Sequence, residues 1–171
     1  MAQLWRCEIC GDPYIGDEAP AQCPFCGAKK KYFKLAKDAV ANFDLKLNEK
    51  DLSNVQHALE VEVSNTAFYV CAAATTNDPE GKLLFKVLAK VEAEHAAIWK
   101  KILKLDTIPK GNDRCHVQNK ENLEDSHARE TRAIAFYGQA ARESASERLK
   151  QIFVALIEIE TDHLKLSEQR L

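Results

Sequence analysis

Two short motifs put metal-binding side chains at helical spacing: Glu92-x-x-His95 and Glu160-x-x-His163. Three residues is just under one helical turn, so the carboxylate and the imidazole of each motif leave the same face and reach the same point. One helix can in this way offer two ligands to one metal ion. A single E-x-x-H carries little weight, because Glu and His recur by chance, and a third copy, Glu124-x-x-His127, stands in the same chain. A second constellation lies near the N-terminus, where Cys7-x-x-Cys10-Gly11 and Cys23-x-x-Cys26-Gly27 are separated by twelve residues. Each C-x-x-C can fold as a knuckle whose backbone N–H groups point at the sulfurs, and the following glycine admits the positive φ of a tight turn. Four thiolates would then converge on one tetrahedral metal, for which zinc and iron are both suited.

The elements that must carry these residues differ sharply along the chain. Residues 1–36 concentrate Gly, Pro and Cys without helical periodicity, which marks a small loop-rich domain. Among its few large side chains are Trp5, Tyr14, Phe25 and Phe33, too few for a self-sufficient core, so the metal must supply much of its stability. Residues 37–50 form a linker, and the lysines at 29–31 ahead of it suit a solvated surface. From 51 to 171 the apolar residues recur at three-and-four spacing in four helical segments, about 51–76, 79–104, 119–143 and 146–170. Asn77-Asp78-Pro79 and Ser144 to Ser146 are tight breaks, whereas Asp106 to Asn119, with Pro109 and Gly111, is longer than an antiparallel hairpin needs. One long crossover joining two helical hairpins is the ferritin-like form of the four-helix bundle. The expected fold is mainly α, such a bundle preceded by a small metal-knuckle domain.

A repeat sorts the candidate ligands. Sliding the chain by 68 residues puts Glu62 on Glu130, Ala67-Phe68-Tyr69 on Ala135-Phe136-Tyr137, Phe85 on Phe153, Leu88 on Leu156, Glu92 on Glu160 and His95 on His163. Paired about a pseudo-twofold axis, the two hairpins would gather four carboxylates and two imidazoles around one centre. One Glu from each of two helices and Glu-x-x-His from each of the other two is the di-iron or di-manganese carboxylate pattern of such bundles. Four ionised Glu buried together would repel one another, and two divalent ions cancel that charge. Hard carboxylates with only two imidazoles favour iron or manganese over tetrahedral zinc. Glu124 and His127 have no counterpart under the repeat, falling on Gln56 and Leu59. His127, one turn before Glu130, is expected as a core histidine that hydrogen-bonds near the ligands. Tyr69 and Tyr137, seven residues beyond Glu62 and Glu130, can bond ligating carboxylates or simply pack.

Composition narrows the function. A net charge of -2 with 29% charged residues gives no footprint for nucleic acid or an anionic membrane. No apolar run is long enough to span a bilayer, and the N-terminus lacks the basic flank and apolar core of a secretion signal, so a cytoplasmic location is expected. In such a reducing compartment cysteines serve as ligands or inert thiols. Cys71, in an apolar helical run, and Cys115, in a loop, are expected as a core thiol and a loop thiol without partners.

The stretch from Trp5 to Cys26, W-x-C-x-x-C-G followed by G-x-x-A-P-x-x-C-P-x-C, resembles the rubredoxin-like domains of rubrerythrins. The helical part resembles the same family, although in the familiar rubrerythrins the rubredoxin-like domain follows the bundle and here it precedes it. The resemblance implies a non-haem di-iron peroxidase of oxidative-stress defence that reduces hydrogen peroxide to water. It assigns mononuclear iron, or zinc in its place, to Cys7, Cys10, Cys23 and Cys26, with Glu62, Glu92, His95, Glu130, Glu160 and His163 holding two irons, manganese or a mixed iron/zinc pair. It further implies an electron-donating reductase and a homodimer or larger homo-oligomer, whose head-to-tail arrangement would bring one chain's thiolate iron to the other's di-iron site. Many rubrerythrins carry an additional carboxylate three residues after the ligand matching Glu130, where this chain has Ala133. A ferritin-like ferroxidase or iron-handling protein, and a non-enzymatic zinc-ribbon protein, are the other functions these residues admit.

Overall fold

The computed structural model describes residues 1–171. Three short strands open the chain, β1 (Gln3–Cys7), β2 (Pro13–Gly16) and β3 (Phe33–Leu35), paired antiparallel in the order β2-β1-β3. Between β2 and β3 lies the second cysteine knuckle. Gly11 and Gly27 adopt φ of +87° and +78°, and each donates its N–H to the carbonyl of the first cysteine in its knuckle at 2.9 Å. The small core differs from the expected set: Ile9, Tyr32 and Phe33 are buried, Trp5 and Tyr14 half-buried, and Phe25 is 40% exposed. With Cys23 and Cys26 both turned inward, the side chain beside them in the knuckle is directed out.

Four helices follow: α1 (Glu49–Thr75), α2 (Pro79–Leu103), α3 (Asn119–Glu143) and α4 (Glu147–Glu168). Their ends have local causes. Asn48, Asp78 and Ser146 each accept a hydrogen bond from the backbone N–H three residues on, capping α1, α2 and α4, and Pro79 fits the first turn of α2, where no N–H is needed. The repeat extends to these boundaries. Asp78 and Ser146 are equivalent N-caps, and Thr76 and Ser144 equivalent C-caps. Helices α1 and α2 pack as one hairpin and α3 and α4 as the other, with residues 104–118 crossing between them. The chain is thus a four-helix bundle with one long crossover, preceded by a metal-knuckle domain. No helix is long and apolar enough to cross a membrane.

Two features correct the sequence reading. Cys71 and Cys115, expected as unpartnered thiols, form a disulfide with Cα atoms 5.8 Å apart, tying the crossover to α1. Their separation of 44 residues leaves no local spacing from which to pair them. The crossover is also held by Asp113, which accepts from Ser64 Oγ at 2.6 Å and lies 2.9 Å from Arg129 Nη2. The lysine run, expected as solvated surface, is largely an attachment. Lys29 pairs with Asp162 and Lys31 with Glu158, both on α4, while Lys30 pairs with Glu18. Lys101 Nζ donates to the Cys10 carbonyl at 2.7 Å, and Arg148 donates to the Glu8 carbonyl. The small domain is therefore seated on its own chain's bundle.

Candidate metal centres

The four N-terminal cysteines come together as one buried cluster, with their sulfurs within 4.8 Å of one another. Cys7 and Cys26 sulfurs lie 3.8 Å apart, as do those of Cys10 and Cys23. Such crowding spreads the thiol acidities. Hydrogen bonds, from Cys10 first, drive Cys7 well down, while Cys23 first among its neighbours drives Cys10 up. Four soft donors in this packing fit one tetrahedral zinc or iron.

Midway along the bundle the four inward stripes meet. Glu62 of α1, Glu92 and His95 of α2, Glu130 of α3 and Glu160 of α4 are fully buried, and His163 of α4 is 6% exposed. Their donor atoms fall into two overlapping groups, Glu62, Glu92, His95, Glu160 and Glu92, Glu130, Glu160, His163, each within 4.8 Å. Glu92 and Glu160 belong to both. His95 Nδ1 lies 3.1 Å from Glu160, 3.3 Å from Glu92 and 3.6 Å from Glu62. His163 Nδ1 lies 2.8 Å from Glu160 and 3.1 Å from Glu92. Close as they are, these atoms do not satisfy one another. Both Nδ1 atoms, both oxygens of Glu92 and Glu160, and one oxygen each of Glu62 and Glu130 lack a hydrogen-bond partner. Buried polar atoms are seldom left so, and eight of them directed into one space is the pattern that two cations held among these residues would satisfy.

Electrostatics point the same way. Burial first, then the charge of Glu92, lifts Glu62 well above the usual carboxylate range, and burial with Glu160 and Glu92 does the same to Glu130. Burial opposes charge on the imidazoles, but the facing carboxylates raise both, Glu62 foremost at His95 and Glu160 at His163. Glu92 goes the other way: despite burial, His163 and His95 hold it low. Without cations, the cluster retains protons to limit its own repulsion.

The tyrosines cross between hairpins. Tyr69 of α1 donates to Glu130 of α3, and Tyr137 of α3 donates to Glu62 of α1. Each thereby fixes one oxygen of a carboxylate and leaves the other without a hydrogen-bond partner. His127, expected in the core near the ligands, is instead 39% exposed and bonds Glu168 at 3.3 Å. The inward position on that turn belongs to Ser126, which bonds Tyr69 at 2.9 Å and Ser167 at 2.8 Å. Ala133 is buried, and no carboxylate enters from its position.

One contact has no signal in the sequence. His95 Nε2 lies 2.9 Å from the Cys26 carbonyl, a hydrogen bond that makes this nitrogen the donor and leaves Nδ1 free for the carboxylate centre. A single hydrogen bond thus separates a cysteine of one cluster from a histidine of the other.

Residues 5–34 match the model of the rubredoxin-like domain of rubrerythrin. The chain is 27% identical over 110 residues to reverse rubrerythrin-1 of Clostridium acetobutylicum, an alignment covering 58% of this chain and 61% of that one. It therefore spans about three fifths of that curated relative's length. No solved structure matches the chain.

Proposed function

We propose that this chain, built in the domain order of a reversed rubrerythrin, reduces hydrogen peroxide to water at a two-iron centre in the bundle, with electrons relayed from an iron held by the cysteines. Glu62, Glu92, His95, Glu130, Glu160 and His163 would hold the pair, and Cys7, Cys10, Cys23 and Cys26 the single iron. Bound there, the paired irons would supply the two electrons that O–O cleavage consumes, and the thiolate iron would restore them one at a time. The protein's part is geometric and electrostatic. Four carboxylates offset the cationic charge, burial excludes bulk water, and the Tyr69 and Tyr137 hydroxyls keep Glu130 and Glu62 from swinging. His95 directs Nδ1 to the centre and Nε2–H to Cys26, offering electrons a route within one chain besides the head-to-tail route expected from the resemblance.

The observation that carries this reading is the His95–Cys26 hydrogen bond. A zinc ribbon that only stabilised its own fold would have no need to touch a ligand of the buried carboxylate cluster. The protein is an oxidoreductase on this account, with an electron-donating reductase as partner. A second reading, a ferritin-like oxidase turning over mainly with dioxygen, is favoured by the small side chain of Ala133. Stopped-flow absorption of the anaerobically reduced protein separates the two. Peroxide is expected to reoxidise the thiolate iron rapidly and air slowly; equal rates would reject the peroxidase reading in favour of the oxidase.

A further inference from the structure

The repeat breaks one turn beyond the paired glutamates. Asn65 follows Glu62 by three residues and Ala133 follows Glu130 by three, so the two are repeat equivalents with different chemistry. Both line a cleft of about 250 Å³ between α1 and α3, walled also by Ser64, Arg129, Arg132 and Phe136. Asn65 is 3% exposed, and its Oδ1 accepts from Arg129 Nη1 at 3.4 Å. A guanidinium only donates, so this contact assigns the oxygen to the arginine side and leaves Nδ2 as the remaining group. That Nδ2 is buried and has no acceptor.

Arg129 is itself immobilised. It lies over the Phe68 ring at 4.3 Å, donates to Ser64 Oγ at 3.0 Å and sits 2.9 Å from Asp113 of the crossover. The amide is thus clamped from behind by a side chain fixed on three sides. A buried donor without an acceptor is costly to keep, and Ala133 across the cleft offers none. Of the other clefts beside the bundle, those along α1 and α2 are walled mainly by Val63, Ala67, Val70, Ala93 and Ile108, and the one beneath the small domain, which includes His163, mainly by Leu84, Val87, Leu88, Val91 and Ile159.

We propose that Asn65 Nδ2 is the hydrogen-bond donor for a small ligand of a few atoms that reaches the two-metal centre through the α1/α3 cleft. This rests on the function proposed above, in which that ligand is hydrogen peroxide; azide is its stable stand-in. The cleft is small, and its cationic rim at Arg129 and Arg132 suits an electron-rich ligand.

The test is an azide titration of the oxidised, iron-loaded full chain, followed by visible absorption, with metal content measured on each sample. Asn65→Ala is expected to weaken azide about tenfold, the loss of one hydrogen bond, with metal content unchanged. Adding Ala133→Asn in the same chain, which returns an amide from the opposite wall, is expected to recover much of that loss. If Asn65→Ala does not fold and load, Asn65→Leu, of the same branched shape, replaces it as the donor-free variant and is expected to show the same loss. Unchanged azide affinity in a fully loaded donor-free variant overturns the role of Asn65 while leaving the metal centre standing. A wild-type chain that takes up no metal pair overturns both.

Discussion

In the first hairpin Glu62, Tyr69, Phe85, Glu92 and His95 occupy the places that Glu130, Tyr137, Phe153, Glu160 and His163 occupy in the second. The rings repeat their packing as well: Tyr69 stacks on Phe85 at 6.0 Å and Tyr137 on Phe153 at 5.9 Å. Away from the ligands the copies part. Asn65 stands opposite Ala133, Cys71 is equivalent to Gln139, and Trp99 to Ser167, while His95 alone of the two histidines bonds the Cys26 carbonyl. The difference teaches where symmetry is needed. On the proposed function, a two-cation site requires matched donors from both halves, whereas entry of a ligand and supply of electrons, like anchoring of the crossover, each need one specialised side.

The strongest way to break the comparison is through the shared carboxylates. Glu92→Ala and Glu160→Ala should be equally damaging, each losing the metal pair and lowering peroxide turnover by at least about 100-fold. A large difference between them in metal content would mean that the halves do not form one site. The disulfide tests asymmetry instead. Cys71→Ser should cost about 2–4 kcal/mol of stability by denaturant unfolding, because the cross-link closes a long loop in one half only, whereas Gln139→Ser at the equivalent place should cost less than about 0.5 kcal/mol. The tyrosines restore the symmetry on a smaller scale. Tyr69→Phe and Tyr137→Phe should each weaken metal affinity by about tenfold, measured by chelator competition.

The effect of pH follows from the protons that the cation-free cluster retains. Glu62 and Glu130 are raised above their ordinary value of 4.5, and His95 and His163 above 6.5. Above 4.5 the unfolded chain releases carboxyl protons that the folded chain keeps, and above 6.5 it releases imidazole protons likewise. Stability of the metal-free protein should therefore fall as pH rises through this window. Glu92, held low, acts in the opposite sense only below 4.5. Cations replace the retained protons, so metal affinity should rise over the same range. Urea midpoints of chelator-treated protein between about pH 5 and 8 test this, and a Glu62→Gln, Glu130→Gln variant should show the shallower slope.

Much of this arrangement was legible because repetition marks it. The helix breaks at Asp78 and Ser146 are both capping signals, and three donors recur at one offset, so ends and inward faces could be read together. His127 misled because helical spacing places a residue only to within a fraction of a turn; Ser126, one position earlier, takes the inward place. The Cys71–Cys115 bond, the pairing of Lys29 and Lys31 with Asp162 and Glu158, and the His95–Cys26 contact join parts far apart in the chain. No local pattern encodes such contacts, since they arise only when the small domain and the crossover settle on the bundle. Asn65 was obscured by its similarity to any polar helical residue. Its burial, its missing acceptor and its mismatch with Ala133 distinguish it.

The claim that two matched halves build one two-cation centre beside a separate thiolate site is tested most directly by metal analysis with a visible spectrum of protein purified without oxygen. Three metal ions per chain are expected, one at the cysteines and two in the bundle, falling to one in Glu92→Ala or Glu160→Ala with the iron–thiolate absorption retained. A colourless protein with a single zinc, unchanged by either substitution, would contradict it.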